Sequence, residues 1–261
     1  MDYQFPLIVE NVTLTLSGKT LLNNINFALP KGKITALIGP NGAGKSSLIK
    51  VLSGYLKPQK GQCVFHAKPL LDFSTLELAK WRAVMRQNNQ INFAFSVEEV
   101  IRMGAYHRCK KEIAIHLEEV IKLTDCESLR RKFYHQLSGG EQQRTQLARV
   151  LLQLWSENMS GKILFLDEPT SALDLYHQQH CLRLLTALCR EKNLTVCTVL
   201  HDLNLVSLYA DQLILLAQNK VQVKGNANEV ITENNIHQWY NAEIITLPHL
   251  MTKTPQLLFK K

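Results

Sequence analysis

Three short stretches of the chain combine residue types that handle phosphate and metal. Gly39-Pro40-Asn41-Gly42-Ala43-Gly44-Lys45-Ser46 has the Gly-x-x-x-x-Gly-Lys-Ser spacing of a P-loop, with Ser47 directly behind it. Its glycines let the backbone turn successive N–H groups inward around phosphate oxygens, and a following helix adds the partial positive charge of its N-terminus. Lys45 is then expected to meet the β- and γ-phosphates of a nucleotide, and Ser46 to ligate Mg²⁺. Ile163-Leu164-Phe165-Leu166-Asp167-Glu168 is an apolar run that ends in two adjacent carboxylates. Asp167 suits the same Mg²⁺ site, which leaves Glu168 to orient or deprotonate the water attacking the γ-phosphate. Leu137-Ser138-Gly139-Gly140-Glu141 precedes a helix whose Leu147, Val150, Leu151 and Leu154 share one face, a second anion-binding helix N-terminus in the same chain.

Such loops need rigid elements beneath them. Ile34-Thr35-Ala36-Leu37-Ile38, directly before Gly39, is almost wholly apolar and predicts a strand covered on both faces, with a helix from Lys45 to Ser53 after the loop. Strand-like runs recur at Gln62 to Phe65, Lys162 to Leu166, Leu194 to Leu200 and Leu213 to Leu216, with helix-period segments at Leu175 to Arg190 and Leu203 to Tyr209. Alternating β and α segments imply a mostly parallel sheet with helices on its faces. Ahead of them, Leu7 to Leu16 and Leu21 to Leu29 read as an antiparallel hairpin joined at Ser17-Gly18-Lys19.

From Asn88 to Gln136 the pattern changes to helices without a strand. Ser96-Val97-Glu98-Glu99 is a capping-box start, and Glu112 to Leu123 places Ile113, Leu117, Val120 and Ile121 on one helical face. Residues 88–136 therefore read as a helical insertion. In the C-terminal portion, residues 226–261, Glu229 to Trp239 reads as a helix and Glu243 to Leu247 as a weak strand. The expected fold is α/β, a single domain over residues 1–261 of P-loop NTPase type, with a mostly parallel core sheet, an N-terminal antiparallel β portion and a helical insertion subdomain.

With 46% hydrophobic and 20% charged residues among 261, the composition suits a folded chain and excludes disordered or collagen-like classes. No apolar run approaches the roughly 18 residues needed to span a bilayer. Met1-Asp2-Tyr3-Gln4 lacks the basic flank of a signal peptide, so a cytosolic location is expected. Six cysteines without a Cys-x-x-Cys pair point to reduced, buried thiols rather than a zinc ribbon or redox dithiol. Thirty basic residues against 22 acidic ones give a net charge of +8, suited to an anionic partner such as nucleic acid, a phospholipid surface or a nucleotide.

Taken in this order, the three motifs resemble the nucleotide-binding subunits of ATP-binding cassette (ABC) transporters, over nearly the whole chain. The resemblance implies ATP and Mg²⁺ as ligands. It makes Gln87, after Val84-Met85-Arg86, similar to the Q-loop glutamine that senses Mg²⁺, and Ser171-Ala172-Leu173-Asp174 similar to the D-loop. His201, after Thr198-Val199-Leu200, resembles the switch histidine near the γ-phosphate. It further implies a homodimer in which the P-loop of one subunit and Ser138 to Gly140 of the other sandwich each ATP, closing on the γ-phosphate and reopening on hydrolysis. The family commonly stacks an aromatic residue of the first hairpin on adenine, whereas Leu14, Leu16 and Ser17 stand there in this chain.

Met85-Arg86-Gln87, Phe93-Ala94-Phe95-Ser96-Val97, the run from Leu147 to Leu154 and Asp174-Leu175-Tyr176-His177-Gln178-Gln179-His180 are similar to the ATPase subunit of bacterial haem importers, relatives of the vitamin B12 and iron-siderophore importers. That resemblance implies an ATPase coupling hydrolysis to haem import through a separate permease homodimer, with a periplasmic substrate-binding protein as an indirect partner. It also implies peripheral attachment at the cytoplasmic face of the inner membrane and no nucleic-acid partner. A siderophore or cobalamin importer is the neighbouring alternative. A soluble ABC ATPase acting on nucleic acid or ribosomes would suit the charge, but such proteins usually carry two cassettes or a coiled-coil arm, and this chain has neither. Ile91, Phe93, Ala94 and Phe95 are expected to form a groove for a permease helix, the alternative being a small core of their own. His177 and His180, at i, i+3, could hold a metal or haem iron, although a solvated helix face is the expectation.

Overall fold

The computed structural model of the protein describes residues 4–86, 93–106, 108 and 110–260. The chain begins with β1 (Leu7–Leu16), β2 (Lys19–Leu29) and β3 (Ile34–Ile38), then α1 (Lys45–Leu52), β4 (Lys60–Phe65) and β5 (Lys68–Pro69). Next come α2 (Thr75–Trp81), β6 (Arg82–Met85), α3 (Val97–Met103), α4 (Lys110–Leu123) and α5 (Gly139–Leu154). The second half runs through β7 (Ile163–Asp167), α6 (Leu175–Lys192), β8 (Thr195–Val199), α7 (Leu203–Tyr209), β9 (Gln212–Ala217) and β10 (Lys220–Gly225). It closes with α8 (Ala227–Val230), α9 (Glu233–Tyr240), β11 (Ile244–Pro248) and β12 (Pro255–Phe259).

The central sheet has the order β10-β9-β3-β8-β7-β6, parallel throughout except for β10, which pairs antiparallel with β9. A second, antiparallel sheet has the order β2-β1-β4-β5. Successive strand side chains point to opposite faces. On one face Ile34, Ala36, Ile38, Leu164, Leu166 and Val196 join the core formed with α5 and α6, while on the other Leu37, Phe165 and Val199 pack with α1 and the antiparallel sheet. With both sides covered, β3, β7 and β8 have no exposed position, which is why the sequence reads there as unbroken apolar runs rather than an alternation.

Helices α3 and α4 do not make a core of their own. Val97, Val100 and Ile101 of α3 and Leu117, Val120 and Ile121 of α4 are buried in the same cluster as Leu147, Val150, Leu151 and Leu154 of α5. The Ser96–Glu99 capping box forms as expected and starts α3. Trp155, at the end of α5, donates its indole N–H to Glu119 of α4 at 2.8 Å.

Elements without a sequence signal are β5, β6, α2, β10 and β12. β6 is only four residues long and alternates half-buried Arg82 and Val84 with buried Ala83 and Met85, too short a run for its period to stand out. α2 is started by a Ser74–Glu77 capping box of the same kind as that at Ser96. The helix expected from Glu229 to Trp239 is two helices: α8 stops at Val230, and α9 restarts where the Thr232 hydroxyl accepts the Asn235 N–H at 3.2 Å.

Gly104, at the end of α3, lies so close to α5 that a Cβ there would stand 2.0 Å from the Arg149 carbonyl oxygen. Gly104→Ala is expected to push α3 away from α5 and cost about 1–3 kcal/mol, the usual range for overpacking. Urea denaturation reads this directly, and an unchanged midpoint would show that the contact gives way freely.

Candidate functional site

β3, β7 and β8 all release their chains at the carboxyl edge of the central sheet, the edge where ligands of open α/β sheets bind. Gly39 follows β3 with φ of +143°, and a Cβ on it would sit 1.9 Å from the Leu216 carbonyl oxygen, so the loop can leave the strand here only without a side chain. Pro40 to Gly44 then lead into α1, whose first residue is Lys45. The Lys45 side chain is 6% exposed, and its ammonium donates to the carbonyls of Gly39 at 2.7 Å and Pro40 at 2.9 Å. Burial holds the Lys45 pKa below the ordinary lysine value, against the pull of Glu168 and Asp167 in the other direction.

The Ser46 hydroxyl donates to Asp167 Oδ1 at 3.2 Å, joining α1 to the end of β7 across 121 residues of sequence. Two hard oxygen donors facing each other are the set that Mg²⁺ takes. Burial raises the Asp167 pKa above the ordinary carboxylate value, opposed by the Ser46 hydrogen bond and by Lys50 and Lys45. Glu168 follows with its backbone in the left-handed region, φ +56°, and its Oε1 accepts a hydrogen bond from His201 Nε2 at 2.6 Å. Thus Lys45, Ser46, Asp167, Glu168 and His201 come to one edge of the sheet. Ser47 is half-buried in α1. Gln87 lies outside the described residues.

Ser138 caps α5, its hydroxyl accepting the Glu141 N–H at 3.3 Å while Glu141 Oε2 accepts the Ser138 N–H at 2.8 Å. Glu141 also meets Lys132 at 3.2 Å, so its carboxylate is a structural cap rather than a free ligand. Leu137 is buried and anchors the turn, while Ser138 and Gly139 are exposed and Gly140 is half-buried. Asp174 caps α6, accepting both the backbone N–H and the ring Nδ1 of His177 at 2.9 Å. His180 Nε2 is 2.9 Å from the Leu123 carbonyl. The two histidines are therefore each tied to a protein partner, and among the described residues no His, Cys, Asp and Glu group could hold a metal ion.

Several residues at the site carried no motif. Lys50, Tyr55, Arg82 and Arg86 line a cavity of about 180 Å³ together with Ser46 and Asp167. The Arg86 guanidinium lies over the Tyr55 ring at 4.8 Å, and Arg82 Nε is buried without a hydrogen-bond partner. Lys50 follows Ser46 by four residues, so helical spacing alone places it on the same side of α1. Gln143 and Ser171 hold the Glu168 carbonyl, a contact that no spacing rule announces. Leu16, at the hairpin position where an aromatic would stack on adenine, is exposed. Phe93 is 72% exposed and Ala94 is also exposed, whereas Phe95 packs on the core, so this expected patch divides; Ile91 lies outside the described residues.

Asparagine in place of Asp167 keeps an acceptor for Ser46 and removes a buried charge. Since the folded-state pKa of Asp167 is raised, its carboxyl favours the fold only while protonated, and that contribution is lost as pH rises past the unfolded value. Asp167→Asn is thus expected to melt higher than wild type at about pH 7, with the difference vanishing near about pH 3. A lower melting point at neutral pH would contradict the desolvation assigned to this carboxylate.

The ABC transporter family model matches residues 22–171. The hemin import ATP-binding protein HmuV of Escherichia coli O157:H7 is 46% identical over 249 residues, which covers 95% of this chain and 97% of that protein. A solved ABC transporter provisionally assigned to the metal-chelate type, in an inward-facing conformation, superposes with a TM-score of 0.82 at 25% identity, covering 98% of each chain. A bacterial ABC transporter cassette solved as a dimer gives a TM-score of 0.74 at 25% identity, over 84% of this chain and 98% of that one. With the family match spanning more than half of its length and a relative aligned almost end to end, the chain belongs to the ABC transporter family, as one of its ATP-binding ATPase subunits.

Proposed function

We propose that the chain is the ATPase of a haem importer, working as a homodimer on a separate permease homodimer at the cytoplasmic face of the membrane. The observation that carries the hydrolytic part is the 2.6 Å contact between His201 and Glu168, set beside the Ser46–Asp167 pair at the ends of neighbouring strands β7 and β8. The similarity to a hemin import ATP-binding protein over nearly the full chain supports the cargo. No described helix is long and apolar enough to cross a membrane, which fits a subunit that relies on a separate permease. A substrate-binding protein outside the membrane would deliver the haem.

In this reading Gly39 to Ser47 wrap the phosphates, and Lys45 exchanges its two carbonyl acceptors for β- and γ-phosphate oxygens. Ser46 and Asp167, with Gln87 as the third expected ligand, would hold Mg²⁺, which would supply charge neutralisation for the phosphates. Glu168 takes a proton from water as the water oxygen bonds to the γ-phosphorus and the bond to the ADP oxygen breaks, leaving ADP and phosphate. His201 donates to the same carboxylate and fixes its orientation. Ser138 to Gly140 and Asp174 of the partner close over the nucleotide. Exposed Phe93 and Ala94 form part of the permease contact.

Glu168→Gln is expected to keep ATP binding and lower turnover by about two to four orders of magnitude, the worth of a general base, so that ATP-bound dimers accumulate on size exclusion. Near wild-type hydrolysis with monomer alone would remove the role given to Glu168. The cargo is tested by uptake into proteoliposomes holding the ATPase and its permease: haem, and not cobalamin or a ferric siderophore, should accumulate with ATP. Phe93→Ser is expected to leave the melting point nearly unchanged while the permease no longer copurifies. Lost stability with copurification intact would make Phe93 a packing residue instead.

A further inference from the structure

A residue other than glycine adopts the left-handed backbone region only when its surroundings hold it there. Glu168 does so, with φ +56°, and hydrogen bonds on both sides of its backbone hold it. Its N–H donates to the Val199 carbonyl at 3.2 Å, while its own carbonyl accepts Gln143 Nε2 at 2.7 Å and Ser171 Oγ at 3.2 Å. The other end of the same side-chain amide is also committed, since Gln143 Oε1 accepts the Ala172 N–H at 3.0 Å. One side chain of α5 therefore clamps both the residue that carries the carboxylate and the loop that leads to Asp174. The two segments are in close contact besides: a Cβ on Gly140 would stand 2.9 Å from the Ala172 carbonyl oxygen.

We propose that Gln143 is a positioning residue, tying the backbone of Glu168 to the placement of α5. The inference rests on the proposed roles of Glu168 and of Ser138 to Gly140. Gln143 lies in the second turn of the helix that Ser138 caps, so a nucleotide of the partner's site that engages the start of α5 acts, through this amide, on the carboxylate of the other site. Each active site then senses whether its twin is filled, and turnover depends on ATP more steeply than for two independent sites.

Two variants separate this role from simple folding. Gln143→Glu keeps an acceptor for Ala172 and loses the donor to Glu168, and Gln143→Leu loses both. Turnover as a function of ATP, affinity for a fluorescent ATP analogue and the melting point are measured on the full-length dimer, with Glu168→Gln alongside. Wild-type turnover is expected to be sigmoidal. In both variants kcat should fall about ten- to a hundredfold, as for a misplaced catalytic group, with the Hill coefficient near one and ATP affinity within about twofold of wild type. The melting point of Gln143→Glu should stay close to that of wild type. A hyperbolic wild-type curve, unchanged kcat in Gln143→Leu, or a loss that follows ATP affinity or melting point overturns the proposal. If Glu168→Gln is inactive and Gln143→Leu is normal, this inference alone falls; if Glu168→Gln hydrolyses normally, the reading of the site falls and this one with it.

Discussion

The central sheet is sealed on both faces, so its carboxyl edge is where ionisable side chains can collect. Burying a leucine or isoleucine fully is worth about 1.5–3 kcal/mol, and an unpaired polar group in the same place costs a comparable amount. The polar exceptions within the strands obey that limit. Thr35 donates to Gln212 at 3.1 Å, and Thr195 accepts the Gly32 N–H at 3.1 Å, each hydroxyl bonded where it is buried. Asp167 breaks the apolar pattern only at the last position of β7, and Glu168 and His201 stand just past strand ends. The site is thus a consequence of the layer architecture as much as of the residues in it.

Two of those residues carry charge that burial opposes. Lys45 is held below its ordinary pKa and Asp167 above its own, so each is pushed toward neutrality by the same loss of water. Their mutual attraction, with Glu168 and Lys50 nearby, offsets part of that cost but not all. A triphosphate gives Lys45 a charged acceptor where the loop supplies neutral carbonyls, and a divalent cation gives Asp167 a counter-charge stronger than a hydroxyl. The unfavourable electrostatics of the isolated site are therefore of the kind that its substrate relieves.

Chemistry-bearing residues were legible in the sequence where a steric rule leaves one solution. Gly39 must lack a side chain because Leu216 occupies the space, and the P-loop spacing records this. The buried strands show as apolar runs because neither of their faces is wet. β6 was not legible, because its four residues make sense only beside β7 and α5, where Gln153 of α5 donates to the Arg82 carbonyl at 2.9 Å. The division of α8 from α9 rests on Thr232 being a cap, and threonine serves as well in a helix interior or a strand. Gln143 sits in a polar stretch, Glu141-Gln142-Gln143-Arg144, whose residues look alike in sequence and differ only in what they face. Long-range partners, not local propensity, separate what was read from what was missed.

The same packing decides which parts can move together. α3 and α4 share their core with α5, so a displacement of one without the others would open that core to water. Hydrogen bonds reinforce the block: the Tyr134 N–H donates to the Phe95 carbonyl at 2.8 Å, and the Tyr134 hydroxyl accepts Gln146 Nε2 of α5 at 2.9 Å. Exposed Phe93 contacts Phe95, with ring centroids 6.0 Å apart. A force applied at Phe93 from outside therefore passes through Phe95 and Tyr134 to α5. One turn before Gln146 on that helix is Gln143, whose amide holds the carbonyl of Glu168. The surface proposed for the permease and the carboxylate proposed for hydrolysis are thus joined, among the described residues, by side-chain contacts and hydrogen bonds running from Phe93 through Phe95, Tyr134 and α5 to Glu168.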